Sequence, residues 1–277
     1  MLPAMFEVTC LGTSASIPTA SRSLPAFLVE HEGLRFLVDC GEATQLRLMQ
    51  AGESLKIPHI LLTHDHLDHI LGLAGLLFSL SLLRMQPTPQ VTIYGGNTTL
   101  KRARILANMI RANEQSPVYV DLAFVEVSPG VVLEDDRLKV SAFPTDHREL
   151  RPSFGYAFET KGRNSVKLVF SGDTRYTDAL VQAAKGADCL VAEANYASDK
   201  ETQAEKYGHL TAAQAARIAA AAGAKCLMLT HISREYADNL AAVLAEASAI
   251  FPNTLLPNDL DSFTISRNGV THATGKR

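Results

Sequence analysis

The sequence predicts an α/β fold in one domain spanning residues 1–277, a four-layer αββα sandwich with two β-sheets packed face to face and helices outside. Three observations carry that expectation. Each half of the chain opens on short β-rich runs and continues into helical segments. No proline-rich or glycine-rich linker separates the halves. Hydrophobic residues make up 47% of the 277, ample for a large common core.

In the first half FEVTCL from Phe6, AFLVEH from Ala26 and LRFLVDC from Leu34 read as strands, the last two joined at Glu32-Gly33 as a hairpin. Glu42 to Ala51 reads as a helix closed by Gly52. HILLT from His59 is a buried strand, and Leu67 to Met85 is an apolar helix ended before Pro87. VTIY from Val91 follows as a strand, then a polar helix from about Thr98 to Asn113.

The second half repeats that grammar, with VYVDLAFVEV, LKVSAF, GYAFET and VKLVF as strands. It then alternates helix Thr177 to Ala184, strand DCLVAEA, helix Thr211 to Ala222, strand CLMLT and helix Tyr236 to Phe251. There is no low-complexity segment or short-period repeat.

A net charge of -3 with a pI near 6.3 gives no global pull toward nucleic acid, though it leaves room for a local basic patch. The start MLPAMFEVTCLG lacks the basic and apolar regions of a secretory signal. No run reaches the roughly 18 apolar residues of a membrane helix, so a cytoplasmic protein with no membrane partner is expected. Cys10, Cys40, Cys189 and Cys226 have no CxxC spacing and sit in or beside apolar runs, as buried reduced thiols do.

The densest chemistry lies in Thr63-His64-Asp65-His66-Leu67-Asp68-His69, between the strand HILL and a helix. Alternate residues of extended chain point the same way, so His64 and His66 can present imidazoles to one metal. Asp68 and His69 lie past the turn and can face a second. Imidazole and carboxylate ligands suit zinc, with manganese or iron as alternatives. A solvated polar loop is the plainer reading, which the apolar surroundings disfavour. His147, Asp173 and His231 each follow a strand, and strand-end loops on one side of a sheet converge.

These residues give the chain a resemblance to the metallo-β-lactamase fold superfamily, whose signature HxHxDH is matched by His64, His66, Asp68 and His69. Within it the chain is similar to the ribonuclease Z group, endonucleases that trim the 3′ trailer of precursor tRNA. The similarity runs over almost the whole chain, through LGTSASIPTASRS, VDCGEATQ, LTHDHLDHILGLAGLL, SFGYAF, SGDTR, Glu193-Ala194, GHLTAAQAA and LTHISREY. The resemblance implies the metallo-β-lactamase fold and two divalent ions. His64, His66 and His147 would hold one, Asp68, His69 and His231 the other, with Asp173 as the bridge. It also implies a homodimer. The chain departs from the family at Leu67, where Gly is usual, and at Asn195, where Thr is usual. It also has only Thr160 to Leu168 where most members carry a long tRNA-gripping arm.

Two metals a few ångströms apart acidify a shared water and stabilise charge on a phosphoryl oxygen. Asp68 is a candidate for orienting that water as well as binding metal. His209, in GHLT at a helix start, is the candidate proton donor to a leaving oxygen, with Glu193 as its orienting partner. The structural alternative has His209 satisfying the helix start and Glu193 stabilising the fold. Thr13, Ser14 and Arg22 lie in a loop resembling the family's substrate loop, which makes Ser14 and Arg22 candidates for substrate contact, with turn formation as the alternative. Lys101, Arg102, Arg104 and Arg111 on a basic helix could touch RNA or form a solvated face.

The expected function is a dinuclear metal-dependent endonuclease acting on the 3′ end of precursor tRNA. The alternative is a hydrolase of small esters, whether phosphodiester, sulfate ester, lactone or β-lactam, on the same core. A non-catalytic scaffold would show eroded ligands, whereas every position is filled.

Overall fold

In β2 (Ala26–His31) and β3 (Leu34–Val38) successive side chains face opposite ways. Phe27, Val29, Phe36 and Val38 enter one hydrophobic cluster, while Ala26, Leu28 and Leu37 enter another. A sheet buried on both faces needs a layer on each side. The computed structural model, which describes residues 4–84, 86–110, 120–148 and 152–273, supplies both.

The first sheet contains β1 (Met5–Gly12), β2, β3, β4 (His59–Leu61), β5 (Gln90–Gly95) and β6 (Asp121–Glu126). The second contains β7 (Gly130–Glu134), β8 (Leu138–Pro144), β9 (Phe154–Thr160), β10 (Lys167–Phe170), β11 (Cys189–Glu193), β12 (Leu227–Thr230) and β13 (Thr254–Leu255). A closing hairpin, β14 (Ser262–Ser266) and β15 (Gly269–His272), returns to the first sheet, whose order is β15-β14-β1-β2-β3-β4-β5-β6. The second runs β13-β12-β11-β10-β9-β8-β7.

Aromatic rings lock the sheets together: Phe158 meets Phe36 at 5.4 Å and Phe6 at 6.1 Å between centroids, both edge-on. Helices α1 (Thr44–Gln50), α2 (Leu67–Ile70), α3 (Gly72–Leu82) and α4 (Asn97–Asn108) lie on the first sheet side. On the other side lie α5 (Asp178–Ala183), α7 (Ala212–Ala222) and α8 (Leu240–Ser248), with α6 (Glu201–Tyr207) in the connection between β11 and α7. The αββα layering matches the sequence reading, and all four cysteines are buried and free.

Several details differ. The helix expected over Leu67 to Met85 is two helices, because the Gly72 amide donates to the Cys40 carbonyl at 2.9 Å rather than to the carbonyl four residues back. A side chain at Gly72 would stand 2.0 Å from the Gly41 oxygen, so the break depends on glycine. Met85 lies outside the described residues, as do residues 111–113 of the expected polar helix. The helix expected from Tyr236 begins only at Leu240, after a short turn over Arg234–Tyr236 and an Asn239 at φ −142°. Strands β7, β13, β14 and β15 and helix α6 were not anticipated. In α6 only Ala204 is buried, so the sequence shows no apolar stripe.

Candidate metal centre

Strand β4 delivers His64 and His66 in extended chain, and α2 then turns Asp68 and His69 toward the same point. The loop is braced from three sides. The Tyr156 hydroxyl donates to the Leu62 carbonyl at 2.9 Å, and the Phe154 amide donates to the Thr63 carbonyl at 3.0 Å. Arg102 on α4 donates to the Asp65 carbonyl at 2.9 Å and pairs with its carboxylate at 3.2 Å. His147, Asp173 and His231 arrive from the ends of β8, β10 and β12. His231 adopts φ +55°, which costs a non-glycine residue about 1–3 kcal/mol. Two backbone bonds hold it there, Ile232 N to Thr13 O at 3.1 Å and Ala15 N to Ile232 O at 3.0 Å.

All seven expected ligands come together. Asp173 Oδ2 is the hub, 3.4 Å from the Nε2 atoms of His69 and His231, 3.8 Å from that of His64 and 3.9 Å from that of His147. Asp68 Oδ2 lies 3.5 Å from His69 Nε2 and 3.6 Å from His231 Nε2. One group comprises His64, His66, His147 and Asp173, and another Asp68, His69 and His231, the offered atoms of each lying within 4.8 Å of one another.

These atoms fit divalent metal. His64 Nε2, Asp68 Oδ2, His69 Nε2 and His231 Nε2 are buried without a hydrogen-bond partner, a costly state that a cation relieves. Their separations are long for hydrogen bonds, but about 3.3–3.6 Å is what two donors each about 2.0–2.2 Å from one tetrahedral ion require. His147 donates Nδ1–H to the Gly208 carbonyl at 2.7 Å, which leaves its Nε2 bare and 3.2 Å from His66 Nδ1. His66 Nδ1 then either donates to that nitrogen or, with both lone pairs turned inward, shares a cation with it.

Asp39, which sequence reasoning passed over, organises the histidines. Its Oδ2 lies 2.7 Å from His69 Nδ1, and the Thr63 hydroxyl donates to it while accepting Nδ1–H of His64 at 3.0 Å. Such outer carboxylates fix the tautomer and orientation of metal-binding imidazoles. Its sequence signals are a carboxylate directly after a strand and a place in the VDCGEATQ run.

Burial pushes the Asp173 carboxyl up, but His231, His69 and His64 outweigh it and hold the group well below the usual carboxylate range. Burial also pushes His209 down, yet the charge of Glu193 prevails and raises it to about 9. His209 Nδ1 is 3.1 Å from both Glu193 oxygens, and the Thr174 amide donates to Glu193 Oε1 at 2.7 Å. His209 could also join Asp173 and His231 around an ion. The nitrogen that faces Asp173, at 3.9 Å, is the one bound to Glu193, and this favours the proton-transfer pair.

An open cleft of about 350 Å³ leads to the centre, lined among others by His66, His147, Arg148, Tyr207, His209 and Arg234. Ser14 and Arg22 do not line it. Ser14 is fully buried and donates to the Ile17 carbonyl at 2.8 Å. Arg22, 4% exposed, donates to Thr13 Oγ1, the Pro257 carbonyl and Asn258 Oδ1. The expected substrate loop thus braces His231, and Ala15, Ser16 and Ile17 are its cleft-lining residues. On the basic helix, Arg102 holds Asp65 and Arg104 covers the Phe124 ring at 4.1 Å, while Lys101 is exposed. Arg111 lies outside the described residues.

Residues 34–232 match the model of the Beta-lactamase superfamily domain. Together with the sandwich and its His/Asp centre, this match defines a metal-dependent hydrolase of the β-lactamase superfamily. The ribonuclease Z of Bradyrhizobium diazoefficiens is 37% identical, over 94% of this chain and 100% of that one. The ribonuclease Z of Archaeoglobus fulgidus is 30% identical, over 95% and 98%. Human tRNase Z, short form, superposes with a TM-score of 0.76 at 28% identity, over 92% of this chain and 98% of that one. The chain belongs to the ribonuclease Z family.

Proposed function

We propose that this chain is a dinuclear zinc endonuclease that removes the 3′ trailer of precursor tRNA, working in the cytoplasm as a homodimer. The observation that carries the reading is the pair of ligand groups meeting at Asp173, with the His209–Glu193 pair beside them. Near full-length similarity to proteins named ribonuclease Z supports the substrate.

His64, His66 and His147 would hold one ion, Asp68, His69 and His231 the other, with Asp173 between them. When bound, the ions polarise a phosphoryl oxygen and make water acidic enough to attack at neutral pH. Asp68 presents Oδ2 to His69 and His231, leaving its other oxygen to orient the attacking water. The water oxygen bonds to phosphorus and the bond to the 3′ oxygen breaks. Glu193 anchors His209 through Nδ1, so Nε2–H is the proton delivered to that leaving oxygen.

An exposed apolar face supports self-association: Leu71, Phe78 and Leu82 share one side of α3 and are 39%, 50% and 61% exposed, with Leu46 and Met49 exposed on α1. Among the described residues no helix is long and apolar enough to cross a membrane.

The short connection between β9 and β10, residues 161–166, favours a second reading, hydrolysis of small phosphodiesters. Incubating the zinc-loaded protein with precursor tRNA and, separately, with a bis-aryl phosphodiester tests both. Release of the intact trailer supports the first reading, and turnover of the aryl diester alone overturns it.

A further inference from the structure

The cleft wall carries two guanidinium groups, Arg148 and Arg234, and no carboxylate. Among the described residues, Asp146 two positions before Arg148, Glu235 directly after Arg234 and Glu205 on α6 are engaged elsewhere. Asp146 and Glu205 both pair with Arg175, at 3.3 Å and 3.2 Å, and Glu235 pairs with Lys200. Neither Arg148 nor Arg234 has a carboxylate partner among the described residues, whereas Arg35, Arg47, Arg102, Arg137 and Arg175 are all in ion pairs.

The two are built in differently. Arg148 directly follows His147 and has φ +56°. Gly208 makes room for it, since a Cβ there would stand 2.7 Å from the Arg148 amide nitrogen and 2.8 Å from its Cγ. Its guanidinium carbon lies 5.3 Å from the centroid of the Tyr207 ring, a cation–π contact that orients the group while leaving its N–H donors available. Arg234 opens the turn after Ser233 and is exposed. One arginine thus directly follows a residue of the first metal group and the other comes three residues after one of the second, and both line the same cleft.

We propose that Arg148 and Arg234 form a two-sided clamp for a nucleic-acid backbone, each gripping one of the phosphates next to the scissile phosphate. Planar guanidinium forks match phosphate oxygens, and backbone contacts of this kind set register without reading sequence. The clamp lies within the cleft itself and substitutes for a distant grip. It rests on the phosphodiesterase reading of the centre and is independent of whether the substrate is tRNA.

The test uses the zinc-loaded full chain and two substrate systems. The first is thymidine 5′-(4-nitrophenyl) phosphate with and without a 3′-phosphate. The second is precursor tRNA with a methylphosphonate replacing one neighbour of the scissile phosphate. With the wild type, the added 3′-phosphate should lower KM about tenfold, the scale of one charge-assisted contact. One of Arg148→Ala and Arg234→Ala, and not the other, should abolish that gain, and the corresponding Lys variant should keep part of it. On precursor tRNA each Ala variant should raise KM about tenfold with a much smaller change in kcat, and a methylphosphonate at one neighbour should erase the effect of one variant only. Metal content and melting temperature establish that each variant is folded. Losses in kcat and KM that are the same with and without the extra phosphate overturn the clamp. A phosphate effect that survives in a protein unable to cut precursor tRNA upholds the clamp and rejects the tRNA substrate.

Discussion

Asp39 places Oδ2 2.7 Å from Nδ1 of His69, thirty residues further along the chain, and through the Thr63 hydroxyl the same carboxylate reaches His64. One carboxylate thereby orients a ligand of each metal group. Asp39→Ala should weaken metal binding about 10–100-fold, measured by competition with a chromophoric chelator. Unchanged affinity in the folded variant would remove Asp39 from the centre.

Fully active protein should contain about two equivalents of metal per chain, because seven ligands exceed the four of one tetrahedral zinc. Asp173→Ala should lose more metal than His147→Ala, since Asp173 Oδ2 approaches ligands of both groups. Elemental analysis checks the count, and a stable single equivalent at full activity contradicts it.

His209→Ala should keep its metal and slow substrates with poor leaving groups by roughly 10² to 10⁴, the usual worth of general acid help. Activated aryl diesters should suffer far less. Equal losses on both substrates would return His209 to a structural role.

Glu193 raises His209 from 6.5 to about 9, so in chelated protein their attraction stabilises the fold fully below about pH 6.5 and is lost as pH rises through 9. Relative to the wild type, Glu193→Gln should melt lower near pH 6, with the gap closing toward pH 10. Thermal melts across that range in the presence of a chelator test this, and a gap that does not change with pH refutes it.

Gly72→Ala should destabilise the protein by about 1–3 kcal/mol, because the new methyl would meet the Gly41 oxygen at 2.0 Å. Denaturant unfolding gives the value, and a stability equal to wild type would mean that the contact between Gly41 and Gly72 yields freely.

The His/Asp cluster that could hold metal was legible because the HxHxDH run is local and because His147, Asp173 and His231 each follow a strand. Asp39 was not singled out: it lies in the VDCGEATQ run, but a single carboxylate after a strand carries no period or spacing that marks it as the partner of His69. Ser14 and Arg22 read as substrate-contact or turn residues because their long-range partners, Ile232 for Ser14 and Pro257 and Asn258 for Arg22, lie over two hundred residues away in sequence. The layers were legible from strands buried on both faces, such as β2. Strands β14 and β15 are half-exposed and short, which weakens any pattern they could show.

At the tip of the β9–β10 hairpin, pairing runs in register to Glu159 and Lys167, and the turn closes when the Thr160 amide donates to the Val166 carbonyl at 3.0 Å. Nothing from residues 161–166 enters the centre or the cleft. Extra chain at that tip would leave both sheets undisturbed and add only about 0.6 kcal/mol of closure entropy for each doubling of loop length. The hairpin therefore works as a port for modular growth. Descendants of one catalytic body can gain or shed a long recognition element in a single insertion or deletion, so that reach and chemistry evolve on separate schedules.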